Sequence, residues 1–105
     1  ASALARLARE GDEKEQRAAR DELFKLAKGD GSDARSARGE LARAGDARAL
    51  PLAEKGLSAK LGHERASAAR DLAALGKAHR AAKLLADTDR DVRVAAACAI
   101  LGADR

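Results

Sequence analysis

The sequence predicts an all-α fold of about seven helices, and three observations carry that prediction. Ala supplies 29 of the 105 residues and Leu 14, while Phe24 is the one aromatic. Side chains this thin suit closely approaching helices. With only Val92, Val94 and Ile100 as β-branched aliphatics, a compact β core has little to build on. The second observation is a recurrence: LAREGD at Leu7–Asp12, LARAGD at Leu41–Asp46, LAALGK at Leu72–Lys77 and a matching place at Ile100–Arg105, at intervals of 34, 31 and 28 residues. A spacing near 30 that drifts between copies fits helix–turn–helix units with variable turns. The third is that no segment alternates with period two, as a half-buried strand would.

The helices follow from their stop and start signals. The first covers about Ser2–Glu10 and stops at Gly11. The second runs about Asp12–Lys28, with Ala19, Leu23, Leu26 and Ala27 facing inward, and ends in the loop Gly29-Asp30-Gly31-Ser32. The third covers Asp33–Ala44, capped by Ser32 or Asp33, with Gly45 permitting the exit. The fourth begins near Asp46. Pro51 lies deep for a first-turn proline, so a kink or late start near Ala47–Leu50 is expected, with Leu50, Ala53, Leu57 and Leu61 as the buried stripe. The fifth, His63–Leu75, buries Ala68, Leu72 and Leu75 and ends at Gly76. The sixth, about Lys77–Ala86, is the shortest, and the seventh is about Arg90–Gly102.

Leu84–Ile100, reading LLADTDRDVRVAAACAI, joins the last two helices. Ala81, Leu84 and Leu85 share a face before the turn. In the turn, Asp87, Thr88, Asp89 and Asp91 have oxygens suited to first-turn amides. Val92, Ala96, Ala99 and Ile100 then share a face beyond it. This resembles the junction between units in HEAT-like repeat proteins, roughly D-x-D-x-x-V-R-x-A-A-x-x-A-L, here read by Asp87, Asp89, Val92, Arg93, Ala95, Ala96, Ala99 and Ile100. Gly45–Leu57, GDARALPLAEKGL, is similar to a second hallmark, the Gly-Asp turn that leads into the second helix of a unit. The resemblance implies a right-handed α-solenoid, a superhelix of about three and a half HEAT-like helical pairs. Residues 1–105 then form a single repeat domain, whole or cut from a longer solenoid. It also implies that Arg35, Arg65 and Arg93 bond turn aspartates and hold units in register. Arg93 has Asp87 and Asp89 to hand, whereas Arg65 has Ala59 at the matching offset.

Charge and composition narrow the function. The net charge is +4 with 14 Arg and 7 Lys, and both signs are interspersed. The plain reading is a solvated surface; the sharper one is a basic patch for an acidic partner. No apolar run is long enough to span a membrane. There is no signal-peptide pattern, and the chain starts at Ala1 with no Met, as trimming or processing would leave it. The lone Cys98 excludes an internal disulfide framework and suits a reducing, cytoplasmic compartment, and the Ala- and Arg-rich usage points to a GC-rich bacterial source.

Catalytic readings lack parts. His63-Glu64 is similar to the His-Glu pairs with which HEAT-like deoxyhypusine hydroxylases jointly hold two irons. That site needs several such pairs, and the equivalent places here read Asp33-Ala34 and Asp91-Val92. His79 could add one ligand at most. Cys98, inside VAAACAIL, has no cationic neighbour in sequence to lower its pKa. No phosphate-binding glycine loop is present, nothing points to the bilin of HEAT-like lyases, and no Trp or Tyr offers the stacking surface of HEAT-like DNA glycosylases. No cofactor is expected, and the chain is read as a non-enzyme.

What remains is binding. The resemblance implies that the second helices line a concave side, where Lys14, Arg17, Arg48, Lys55, Arg80 and Lys83 would form a discontinuous basic strip. The leading expectation is a protein-interaction scaffold with a protein partner, acidic if the strip is used. The alternative is a nucleic-acid-binding module using that strip on phosphates, against which stand the missing aromatics and modest charge. The last helix adds a second surface. Val94, Ala97, Cys98 and Leu101 form an apolar stripe opposite the first, with Gly102-Ala103-Asp104 reading as a turn beyond it. Val94, Cys98 and Leu101 at this end call for a cover, from a further part of a parent chain, a second copy or a partner.

Overall fold

Residues 2–103 are described by a computed structural model, in which every regular element is helical. They are α1 (Ser2–Glu10), α2 (Glu13–Ala27), α3 (Ser32–Arg43), α4 (Ala49–Gly56), α5 (Gly62–Ala74), a 3₁₀ helix (Ala78–Ala86) and α6 (Arg90–Ala103). No strand occurs among the described residues. Substantial packing joins only elements adjacent or next-but-one in the chain: α1 with α2, α2 with α3, α3 with α4 and α5, α4 with α5, and α5 and the 3₁₀ helix with each other and with α6. The molecule measures 42 × 31 × 19 Å along its principal axes.

The recurrent hexapeptide makes a physical unit. In LARAGD, Gly45 sits at φ +73°, its amide donates to Ala42, and the Asp46 amide reaches back to Leu41. LAALGK repeats this with Gly76 at φ +73°, bonding Ala73, and Lys77 bonding Leu72. Both are Schellman ends, in which a left-handed glycine lets two amides satisfy the last carbonyls. The leucine that opens each copy, Leu41 or Leu72, is fully buried. LAREGD departs from this: Gly11 keeps negative φ and donates to Leu7, and Asp12 opens α2 with a capping box, exchanging bonds with Glu15 at 2.8 and 3.1 Å. The fourth copy runs into α6, which stays helical through Ala103; Asp104 and Arg105 lie outside the described residues.

The core falls into two clusters. One gathers Ala8, Ala19, Leu23, Ala27, Ala37, Leu41, Ala42 and Ala49, flanked by Leu4, Phe24, Leu52 and Leu75. The other gathers Ala53, Leu57, Ala66, Ala68, Ala69, Leu72, Ala81, Leu84, Val92, Ala95 and Ala96. α4 feeds both through Ala49 and Ala53, and Leu75, just past the end of α5, flanks the first cluster while α5 builds the second, so this pair of helices forms the joint.

Five expectations need correction. The shortest helix is α4 with eight residues, whereas the segment expected to be shortest runs nine, Ala78–Ala86. Leu85 is exposed, because the segment before the turn is a 3₁₀ helix with three residues per turn, which buries Ala78, Ala81 and Leu84 instead. Leu61 is 58% exposed: α4 stops at Gly56 and a turn takes Leu61 off its stripe. Leu26 is exposed on a flank of α2 left open. α3 has no side-chain cap; Gly31 precedes Ser32, which is already the first helical residue. The late start of α4 is seen at Ala49, after i,i+3 bonds from Ala49 to Asp46 and from Leu50 to Ala47.

Two glycines give opposite predictions. A Cβ on Gly56 would stand 2.9 Å from the Ala68 Cβ, so Gly56→Ala forces α4 off α5 and is expected to cost about 1–3 kcal/mol. A Cβ on Gly39, inside α3, would meet the Arg43 tip at 3.4 Å and Asp71 Oδ1 at 3.6 Å, ordinary contacts. Gly39→Ala is therefore expected to stabilise by about 0.5–1 kcal/mol through helix propensity. Urea unfolding of both variants checks the pair of signs.

Candidate docking cleft

α2 and α4 do not pack closely on each other, and between their C-terminal ends lies an open cleft of about 1000 Å³. Its walls are the α2–α3 loop and the turn after α4, and α3 and α5 form its floor. The floor is polar because it lies at the seam between the two apolar clusters. Arg38 donates from Nη1 to the carbonyls of Ala27 (2.9 Å) and Gly29 (3.1 Å), and from Nη2 to Glu64 Oε2 (2.9 Å). Arg35 adds a longer bond to Glu64 Oε1 at 3.4 Å, and His63 Nε2 lies 3.8 Å from the same oxygen.

Two turns along α5 from Glu64, past Ser67, Asp71 also lines the cleft. It is 7% exposed and accepts no hydrogen bond from any described group. Burial pushes its carboxyl up to about 6, against the opposing pull of Arg38, Arg43 and Arg70. Those arginines are otherwise occupied or exposed: Arg38 as above, Arg43 with Glu40 at 2.6 Å, and Arg70 at the surface. The rim carries Lys28, Lys55 and Lys60, none paired with a carboxylate among the described residues, and the exposed Leu61.

The expected register arginines do related work with different atoms. Arg65 clamps the Asp87 carboxylate from Nε (2.8 Å) and Nη2 (3.1 Å), while its Nη1 donates to the carbonyls of Ala59 and Lys60. The Arg65 guanidinium holds the Asp87 carboxyl below its ordinary range, helped by the Asp89 amide. Arg93 bonds main chain, the carbonyls of Asp87 and Thr88, in place of the expected carboxylates. At Arg35 the role has passed to Arg38, one turn later.

Of the basic strip, only Lys55 lines this cleft. Arg48 is tied to Asp46 and Asp21 at 2.8 and 3.0 Å, Arg17 lies 3.6 Å from Glu13, Arg80 pairs with Glu54, and Lys83 reaches Ser58 at 3.3 Å. Lys14 is exposed on α2. The single aromatic is covered by the chain's own cations: Lys28 and Arg48 stand 4.9 and 4.8 Å from the Phe24 ring centre. At the far end, Val94 (52%), Leu101 (67%) and Cys98 are exposed on α6. Val94 and Cys98 line a shallower groove between α5 and α6.

Asp71, Arg38, Lys28 and Lys60 had no place in the sequence reading. Asp71 did carry a signal: it stands three residues after Ala68, on the apolar side of a helix, where a charge calls for a reason. Among the described residues no three His, Cys, Asp or Glu side chains converge as a metal site, and no helix is long and apolar enough to cross a membrane. No protein-family model, curated protein or solved structure matches the chain.

Proposed function

We propose that the chain is a non-catalytic protein-interaction module, built as a HEAT-like right-handed α-solenoid and working through the side of its second helices. The open cleft between α2 and α4 carries the reading, because it offers a long, shallow, partly apolar surface instead of an enclosed pocket. Packing confined to sequence neighbours, and the matched LARAGD and LAALGK ends, support a stack of like units. The apolar α6 face with Val94, Cys98 and Leu101 is a second contact surface, open to a further unit or a second copy. The free Cys98 fits a cytoplasmic setting.

Nucleic-acid binding is the less favoured reading. Phe24 is shielded from stacking by Lys28 and Arg48, and three cations of the strip are neutralised within the chain. A photo-cross-linking residue at Leu61, with one at Arg6 as control, tests the choice in native lysate. Protein adducts from Leu61 and none from Arg6 are expected. Adducts to nucleic acid whose yield falls steeply with salt would reverse the order of the two readings.

A further inference from the structure

The rim of the cleft carries Lys28, Lys55 and Lys60, none bonded to a carboxylate among the described residues, against the single rim acid Asp30, and its floor holds Asp71, 7% exposed and bonded by no described group. Among the described residues no side-chain nitrogen or oxygen sealed from solvent lacks a hydrogen-bond partner, so the unbonded Asp71 oxygens open onto the cleft, where a guest can reach them. The chain's own candidates to reach Asp71 are spent: Arg38 serves Ala27, Gly29 and Glu64, and Arg43 serves Glu40. A guest cation would meet the positive charge of Arg38, Arg43 and Arg70 around Asp71, so the guest donor that suits it is neutral, a hydroxyl or a backbone amide. Lys28, Lys55 and Lys60 ask for carboxylates. A volume of about 1000 Å³ lies at the top of the range for small-molecule pockets, and the open side suits an extended chain.

We propose that this cleft binds an acidic peptide segment, whose carboxylates meet Lys28, Lys55 and Lys60 at the rim and which gives one neutral hydrogen bond to Asp71 at the floor. This assignment rests on the protein-interaction reading and specifies the partner's chemistry.

The probe is a fluorescein-labelled peptide of alternating Glu and Ser, about ten residues long, which extended spans about 33 Å. Fluorescence anisotropy with the full chain should show saturable binding. Lys28→Glu, Lys55→Glu and Lys60→Glu should each weaken it about tenfold, because a rim cation becomes a like charge. Asp71→Asn, which still presents an amide oxygen, should bind within about threefold of the parent, and Asp71→Leu should lose about tenfold. Arg6→Glu and Arg90→Glu change net charge equally outside the cleft and should bind as the parent does. Thermal melts confirm that every variant folds. Equal losses from Arg90→Glu, or an unaltered affinity in Asp71→Leu, would overturn the proposal, as would free glutamate competing at equal molar potency, which assigns the cleft to a small anion. Protein adducts from Leu61 with no saturable peptide binding would keep the interaction reading and overturn the acidic segment.

Discussion

Leu72→Ala is expected to lower stability by about 2–5 kcal/mol, a large share of the 5–15 kcal/mol of an ordinary domain. Leu72 is fully buried in the C-terminal cluster among small alanines, which cannot collapse far into the space a missing isobutyl group leaves. Its carbonyl also receives the Lys77 amide in the Gly76 turn, so the residue ties core to helix end. The thermal midpoint should fall by about 10 °C or more. Leu101→Ala, at a position 67% exposed, should stay within about 0.5 kcal/mol of the parent. Circular dichroism melts of the two variants compare them, and similar losses would refute the assignment of core and surface on these helices.

Asp71→Asn is expected to stabilise the chain at neutral pH. The folded carboxyl titrates at about 6, above its ordinary value of 3.8, because burial disfavours the charged form. Between about pH 4 and 6 the folded state therefore binds more protons than the unfolded one, and stability falls as pH rises through that window. Above it the full penalty stands, about 2–3 kcal/mol for the gap between the two values. Asparagine carries no such penalty, so the variant should lead by about that much at pH 7–8 and lose its lead by about pH 4. Asp46 and Asp87 run the other way: Arg48 and Arg65 hold their carboxyls low, and the stability they lend is lost as pH falls below about 4. Both are common to parent and variant and cancel in the difference. Urea unfolding at pH 4, 6 and 8 gives the comparison. A lead that is constant with pH would place the origin of the effect elsewhere than in the charge on Asp71.

A buried charge kept at such a cost is the part of the molecule that folding does not explain, and it was also the part least legible beforehand. Helix positions could be read because the signals are local: Gly45 and Gly76 stop helices, and Leu41 and Leu72 anchor them. Faces were readable only where the helix had its usual period. At 3.6 residues per turn Leu85 shares the face of Ala81 and Leu84, whereas at three it lies outside it. Leu61 fits a stripe that continues only if α4 does, and α4 ends at Gly56, whose backbone packs closely on Ala68, a tertiary contact with no local signature. Cleft residues were hidden for the same reason. Lys28, the pair Lys55 and Lys60, and Asp71 come from three separate stretches, and only the seam between α3 and α5 brings them to one place. Conversely, cations that look free in sequence, such as Arg48 and Arg80, find carboxylates 2–27 residues away.

The most direct test of the docking cleft is a ¹H–¹⁵N shift map of the full chain titrated with the Glu-Ser peptide. Saturating changes confined to the amides of Lys28–Arg38 and Lys55–Asp71, with α1 and α6 unmoved, are the expected result. Changes centred on Val94–Leu101, or spread evenly over every basic residue, would contradict it.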